Sequence, residues 1–245
     1  MPAIRRSVLI LSGTREASAL AARLAARPDL RVITSLAGRT RRPEPVRGET
    51  RIGGFGGTDG LAAFLRDEGI DVLIDATHPF ATTISSHAVD AARRTGIERL
   101  LLVRPPWRPA DGDLWQEVRT LEDGCAAIPP ASRVLLALGR QHIDAFAGRD
   151  DVFFLLRMVD PPAEALPFKA MELVLGKPGP EHEEATLLRA HAIDRIVCRN
   201  AGGTASFGKI AAARQLAIPV IMLERPPQPA GRAFETVEGV AAAIA

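Results

Sequence analysis

Residues 7–17 read SVLILSGTREA. The apolar run of Val8, Leu9, Ile10 and Leu11 predicts a strand over 7–12 that is buried on both faces, because it lacks the polar alternation of a half-exposed strand. Gly13 and Thr14 punctuate it, and residues 15–26 follow with Ala19, Leu20, Arg23 and Leu24 on one helical stripe. A buried strand that turns at once into a helix is the opening of a parallel sheet covered by helices.

The same alternation continues outward. Strands are predicted over 30–35, 50–52, 71–74 and 100–103, and helices over 60–68 and 80–95. A polar loop rich in Arg and Pro, residues 37–48, separates the second and third strands. This is βαβαβ order with short connections. Pro105, Pro106 and Pro109 break it, and Pro129 and Pro130 break it again. A second series begins near Arg133, with strands over 134–138, 152–156, 171–174, 193–198 and 219–223 and helices over 181–192, 207–216 and 237–244. The predicted fold is α/β, two Rossmann-like parallel-sheet domains with a cleft between them. The division is placed near residue 130, with 1–130 as the nucleotide-binding domain and 131–245 as the substrate-binding one.

Composition narrows the function classes. Of the 245 residues, 47% are apolar and 24% charged, a globular mix that excludes wholesale disorder. The 31 basic against 29 acidic residues leave +2, too little for a protein that coats nucleic acid. Tyr is absent, which weighs against a stacking platform for single strands. Cys125 and Cys198 stand far apart with no CxxC or Cys/His cluster, so no metal site is expected. The first apolar run is too short for a signal peptide, and no run approaches the roughly 18 apolar residues of a membrane span. A cytoplasmic protein without nucleic-acid or membrane partners is expected, with its oligomeric state open and a monomer allowed.

The chemistry-bearing residues sit where strands end. In open parallel sheets ligands bind outside the carboxyl ends of the strands. Gly13, Thr14, Arg15 and Glu16 form the first such turn, where free N–H groups and the helix dipole suit a phosphate. After the second strand, Ser35 and Arg39 stand where an acidic residue would bind the ribose of NAD, in a loop that also carries Arg41, Arg42, Arg47 and Arg51. Guanidinium there favours the 2′-phosphate of NADP, while the alternative is a solvated basic loop. Gly53-Gly54-Phe55-Gly56-Gly57 follows the third strand, and so many glycines mark close backbone approach to a ligand or a sharp bend. Gly54, Phe55 and Gly56 are assigned to the cofactor.

Asp75-Ala76-Thr77-His78-Pro79-Phe80 ends the fourth strand. Ala76 and Thr77 are placed beside the cofactor, Pro79 and Phe80 toward substrate, and His78 is an acid, a hydrogen-bond donor or structural. In the second half, Asn200, Gly202, Gly203, Ser206 and Lys209 surround another strand-to-helix turn. Lys209, one of three lysines, can meet a carboxylate or move a proton. Arg157 and Asp160 end the strand FFLLRM, and Arg157 reads as a carboxylate clamp or as half of an internal ion pair.

The ordered set GTREA, SLAGRT, GGFGG-x-x-GL, IDATHPFA, LLRMVDPP and RNAGG-x-x-S-x-x-K-I resembles the precorrin-6A reductases of cobalamin biosynthesis, from about Leu9 to about Pro226. The resemblance implies reduction of a double bond of the precorrin-6A macrocycle by NADPH, giving precorrin-6B, with two Rossmann-like halves flanking the site. The chain departs from the family at Glu181, where an aromatic residue often follows Gly-Pro, and at Ser12, where a second glycine is common. Reduction needs a proton as well as a hydride, and His78, Lys209 or a water can deliver it. The alternatives are the cobalt-precorrin-6A version of the step and a non-catalytic tetrapyrrole or nucleotide carrier.

Overall fold

β1 (Arg6–Leu11) lies at the centre of the first of two parallel sheets in the computed structural model, which describes residues 6–38 and 47–244. Its side chains alternate between two cores, as a strand's period of two requires. Val8 and Ile10 join Leu20 and Leu24 of α1 (Arg15–Leu24). Leu9 and Leu11 join Leu61 and Leu65 of α2 (Thr58–Asp67) and Ala88 and Ala91 of α3 (Thr82–Thr95). The strand is buried on both faces because helices cover both.

β2 (Leu30–Leu36), β3 (Glu49–Ile52), β4 (Val72–Asp75) and β5 (Glu98–Leu102) extend the sheet. A late strand, β12 (Arg232–Phe234), completes the order β3-β2-β1-β4-β5-β12. This is the doubly wound order, and the direction of winding reverses between β1 and β4. Leu11 aligns with Ser35 on one side and Asp75 on the other, so three strand ends meet at that reversal.

The second sheet repeats the plan. β6 (Trp115–Val118), β7 (Arg133–Ala137), β8 (Phe153–Met158), β9 (Met171–Leu175), β10 (Arg195–Arg199) and β11 (Val220–Leu223) take the order β9-β8-β7-β10-β11-β6. Its helices are α4 (Leu121–Ala126), α5 (Glu181–Ala190) and α6 (Gly208–Gln215). Leu188 and Ile210 from the last two pack on Leu135, Leu155 and Ile196. Between β7 and β8 the chain makes only short 3-10 turns, at Arg140–His142 and Asp144–Phe146.

Most expected elements are present, with ends shifted by a residue or two, but the division between units lies elsewhere. The chain separates into one unit running to Pro105 and resuming at Pro226, and a second spanning Pro106–Arg225. The boundary expected near residue 130 falls inside the second unit, between α4 and β7. The reason is pairing: Val118 of β6 is in register with Leu223 of β11, which binds residues 115–126 to the second sheet. The C-terminal helix α7 (Val237–Ala243), expected in the second half, covers the first sheet, with Val240 in the same core as Val8 and Leu20. Prolines stand at both crossings, where a residue without an N–H cannot continue a ladder. Among the described residues, no helix is long and apolar enough to cross a membrane.

Candidate active site

The turn after β1 is built around Thr14, the N-cap of α1. Its Oγ1 accepts a hydrogen bond from Ala17 N at 3.1 Å and donates to Ala76 O at 2.9 Å. One hydroxyl therefore caps the helix and ties the turn after β1 to the turn after β4, across the reversal of the sheet. Ser12 N donates to Ser35 O and Ala76 N to Leu11 O, which aligns all three turns. Gly13 and Arg15 are exposed there, while the carboxylate of Glu16 is paired with Arg104 at 2.7 Å.

Ser35 is buried at the end of β2 and faces Arg51, its register partner on β3. Arg51 donates to Ser35 Oγ at 3.3 Å, to Gly53 O at 2.5 Å and to Gly54 O at 2.6 Å, and lies 3.8 Å over the Phe55 ring. It thus holds the bend of the glycine-rich loop. Gly60, one turn into α2, is required by packing: a β-carbon there would collide with the Phe55 carbonyl. Gly54 is different. Its φ is not positive and a β-carbon on it would touch nothing, so neither the backbone nor the protein's own packing calls for glycine. Arg39 lies outside the described residues.

Asp75 ends β4 with no exposed surface. Its Oδ2 accepts from Arg99 Nη2 at 2.8 Å, and its Oδ1 accepts from Thr77 Oγ1 at 2.8 Å and Thr77 N at 3.3 Å. The Thr77 hydroxyl also meets Ser85 Oγ at 3.2 Å. This anchors the turn that carries His78, whose Nδ1 accepts from Phe80 N at 3.3 Å. A neutral His78 ring so held carries its proton on Nε2. The ring centroids of His78 and Phe80 lie 5.8 Å apart, and Pro79 is buried with its carbonyl accepting from Gln228 Nε2.

The turn after β10 is organised by Trp107. Asn200 Oδ1 accepts from Trp107 N at 2.8 Å and its Nδ2 donates to Trp107 O at 2.9 Å, while the indole N–H donates to Gly203 O at 2.7 Å. The Asn200 amide, expected to contact substrate, instead fixes the segment that enters the second unit. Gly202 and Gly203 both adopt φ of 66°, which shapes the turn before Ser206. Lys209 is buried, with Nζ donating to Ser206 O at 2.7 Å and lying 5.0 Å from the Trp107 ring centroid. Burial pushes its pKa below the ordinary lysine value; Cys198 and Glu184 oppose that, and Arg157 and Arg199 add to it.

Arg157, expected as a carboxylate clamp, is instead half of an internal ion pair. Its Nη1 lies 2.8 Å from both oxygens of Glu184, and the two side chains are 7% and 3% exposed. Glu181, the position that departs from the expected aromatic residue, lines a cavity of about 380 Å³ with His182, Thr186, Arg189 and Gln215. None of the expected site residues lines it.

Gly13, Thr14, Ser35, Gly54, Phe55, Ala76 and Thr77, expected from sequence to meet a cofactor, thus share one rim of the first sheet. Gly202, Gly203, Ser206 and Lys209 share one turn of the second. Four contributors were not singled out from sequence: Asp75 and Arg51, which were visible only as strand-end charges, and Glu184 and Trp107, which gave no local signal.

Known proteins match this arrangement closely. The sequence profile of the family described as "Precorrin-6x reductase CbiJ/CobK" matches residues 7–245. A precorrin-6A reductase of Rhodococcus erythropolis is 46% identical over 239 residues, covering 97% of this chain and 96% of its own. One from Sinorhizobium sp is 50% identical over 222 residues, covering 89% and 84%. The solved structure of a CobK precorrin-6A reductase superposes with a TM-score of 0.92 at 41% identity, covering 98% of this chain and 96% of that one.

Proposed function

The chain belongs to the precorrin-6x reductase family and reduces precorrin-6A in cobalamin biosynthesis with a nicotinamide cofactor, and on that premise we propose that the cofactor is NADPH, held by the first unit. The observation that carries the proposal is the rim at the reversal of the first sheet. There Thr14 joins two turns, and Gly54 is a glycine that the fold itself does not need. The donors present fit a dinucleotide. Gly13, Thr14 and the first turn of α1 offer backbone N–H groups to a pyrophosphate. Ser35 lies at the end of β2 with Arg51 beside it on β3, the position that selects the 2′-phosphate, and Arg39 follows β2 in the sequence. Ala76 and Thr77 line the neighbouring turn.

NADPH, when bound, supplies the hydride. The chain's own residues bind, orient and handle the proton. In the second unit the turn of Gly202, Gly203 and Ser206 is the one assigned to the tetrapyrrole. One proton accompanies the hydride: Lys209 holds it at Nζ for the carbon or nitrogen that becomes electron-rich, and His78, which carries a proton at Nε2 when neutral, is the alternative donor. Asn200 and Arg157 support this turn from behind.

Titration of the purified protein with each nucleotide tests the cofactor assignment: NADPH is expected to bind more tightly than NADH, and equal affinity overturns it. Arg51→Ala and Arg39→Ala are each expected to weaken NADPH more than NADH, by about 1–3 kcal/mol for a charge-assisted contact. An equal loss for both nucleotides at Arg51 assigns it to the glycine loop alone. Loss of reduced-nicotinamide absorbance on adding precorrin-6A separates an enzyme from a carrier, and comparison with cobalt-loaded substrate separates the two versions of the step.

A further inference from the structure

Glu184 stands on the first turn of α5 with 2% of its surface exposed, an environment that carboxylates enter only when paired. Besides both contacts to Arg157, its Oε1 accepts from Gly179 N at 2.8 Å. The carbonyl of that same Gly179 lies where a β-carbon on Gly208 would collide with it. The loop that Glu184 grips is therefore the surface on which the first residue of α6 rests. Lys209 is the next residue, held at Nζ by Ser206 O.

The same pair faces Lys209 electrostatically. The charged and titratable groups acting on the ammonium are Cys198 and Arg199 from β10, Glu184 from α5 and Arg157 from β8. Glu184 and Cys198 favour its protonated form, while Arg157, Arg199 and burial disfavour it. A buried ion pair is weak evidence for stability, because desolvation offsets much of the attraction. Its placement, under the residue that follows Gly208, is what needs a reason.

We propose that Glu184 and Arg157 are positioning residues for Lys209: Glu184 clamps the loop beneath α6 through Gly179, and the two opposed charges set the field at the ammonium group. The inference rests on Lys209 acting as a proton-holding group in the reduction. Neither residue touches the reacting atoms.

The test reads Lys209 directly. Because the chain has only three lysines, Lys169, Lys177 and Lys209, carbon-13 labelling at the lysine ε-position gives few signals, and Lys209→Met identifies the one that matters. Glu184→Gln keeps the shape and an acceptor for Gly179 but removes the negative charge; the Lys209 titration and the alkaline limb of kcat are expected to move to lower pH. Arg157→Met removes the positive charge and is expected to move both to higher pH. The double variant removes both members of the pair, so neither is left opposite a missing partner, and it is expected to melt closer to the unsubstituted protein than either single variant and to titrate between them.

A purely structural pair loosens one loop whichever partner is lost. Single variants that lose activity and stability alike, with titrations unmoved or moved in the same direction, overturn the proposal. If Lys209→Met instead keeps full turnover and the same alkaline limb, the reading of Lys209 itself falls. If that limb disappears in Lys209→Met but stays in place in Glu184→Gln and Arg157→Met, the role of the pair alone falls.

Discussion

Asp75→Ala is expected to lower the stability of the first unit by about 3–5 kcal/mol, the usual cost of removing one member of a buried ion pair. For a unit of this size that lowers Tm by roughly 10–20 °C. The size follows from the surroundings. Arg99 is 6% exposed on its side chain, and its Nε already lacks a partner. Without Asp75 its Nη2 loses the 2.8 Å contact as well, leaving a buried guanidinium without a counter-charge. Thr77 loses the acceptor for both its hydroxyl and its N–H.

The second consequence is local. Asp75 holds the turn whose Ala76 carbonyl receives Thr14, so both turns at the reversal of the sheet loosen together. Affinity for the nicotinamide cofactor is expected to fall along with the melting temperature. Asp75→Leu with Arg99→Met removes both charges and is expected to recover much of the stability, because no buried charge is left unpaired. Calorimetry of the single and double variants checks this. A single variant that melts with the unsubstituted protein sinks the account, and so does a double variant no better than the single.

Asp75 and Arg99 also show where sequence reading succeeds and where it stops. The apolar run VLI before Asp75 marks a buried strand, and the rule that ligands sit at carboxyl ends of parallel strands makes the following turn a candidate for the site. The same logic locates the turns after β1, β2, β3 and β10. What a run of residues cannot show is the partner. Arg99 lies 24 positions from Asp75, Glu184 27 from Arg157, and Trp107 93 from Asn200. Each pairing exists only once strands and helices are packed, so a strand-end Arg157 reads equally well as a carboxylate clamp or as half of an ion pair, and Asn200 reads as a polar contact with no sign that Trp107 holds its amide.

The missed strands have a shared physical cause. β6 and β12 are edge strands, each with one neighbour, and they are mostly exposed, so they lack the apolar run that reveals β1 or β10. Missing them misplaced the boundary between units. α7 was legible as a helix from its own residues, but which sheet it covers depends on β12 pairing with β5. Periodicity reports that a face is apolar and carries no information about what covers it.

Lys209→Met is expected to reduce kcat by about 10²–10⁴, the range for loss of a positioned proton donor, while binding of the nicotinamide cofactor stays unchanged. The sign of the pH dependence follows from burial. Lys209 loses its proton below the ordinary lysine value of about 10.4. A donor must be protonated to act, so kcat falls as pH rises through the depressed value, and the alkaline limb lies below that of an exposed lysine. In Lys209→Met that limb disappears. Stability moves the other way. Between the depressed folded value and the ordinary unfolded one, the unfolded chain binds more protons, so the stability of the unsubstituted protein rises with pH across that window. Methionine removes this dependence along with the buried charge, and its side chain packs against Trp107 without desolvating an ammonium. The variant is therefore expected to melt no lower than the unsubstituted protein near neutral pH while losing turnover. A variant that loses activity only in proportion to a lower Tm, with its alkaline limb intact, returns Lys209 to a structural role as the donor to Ser206 O.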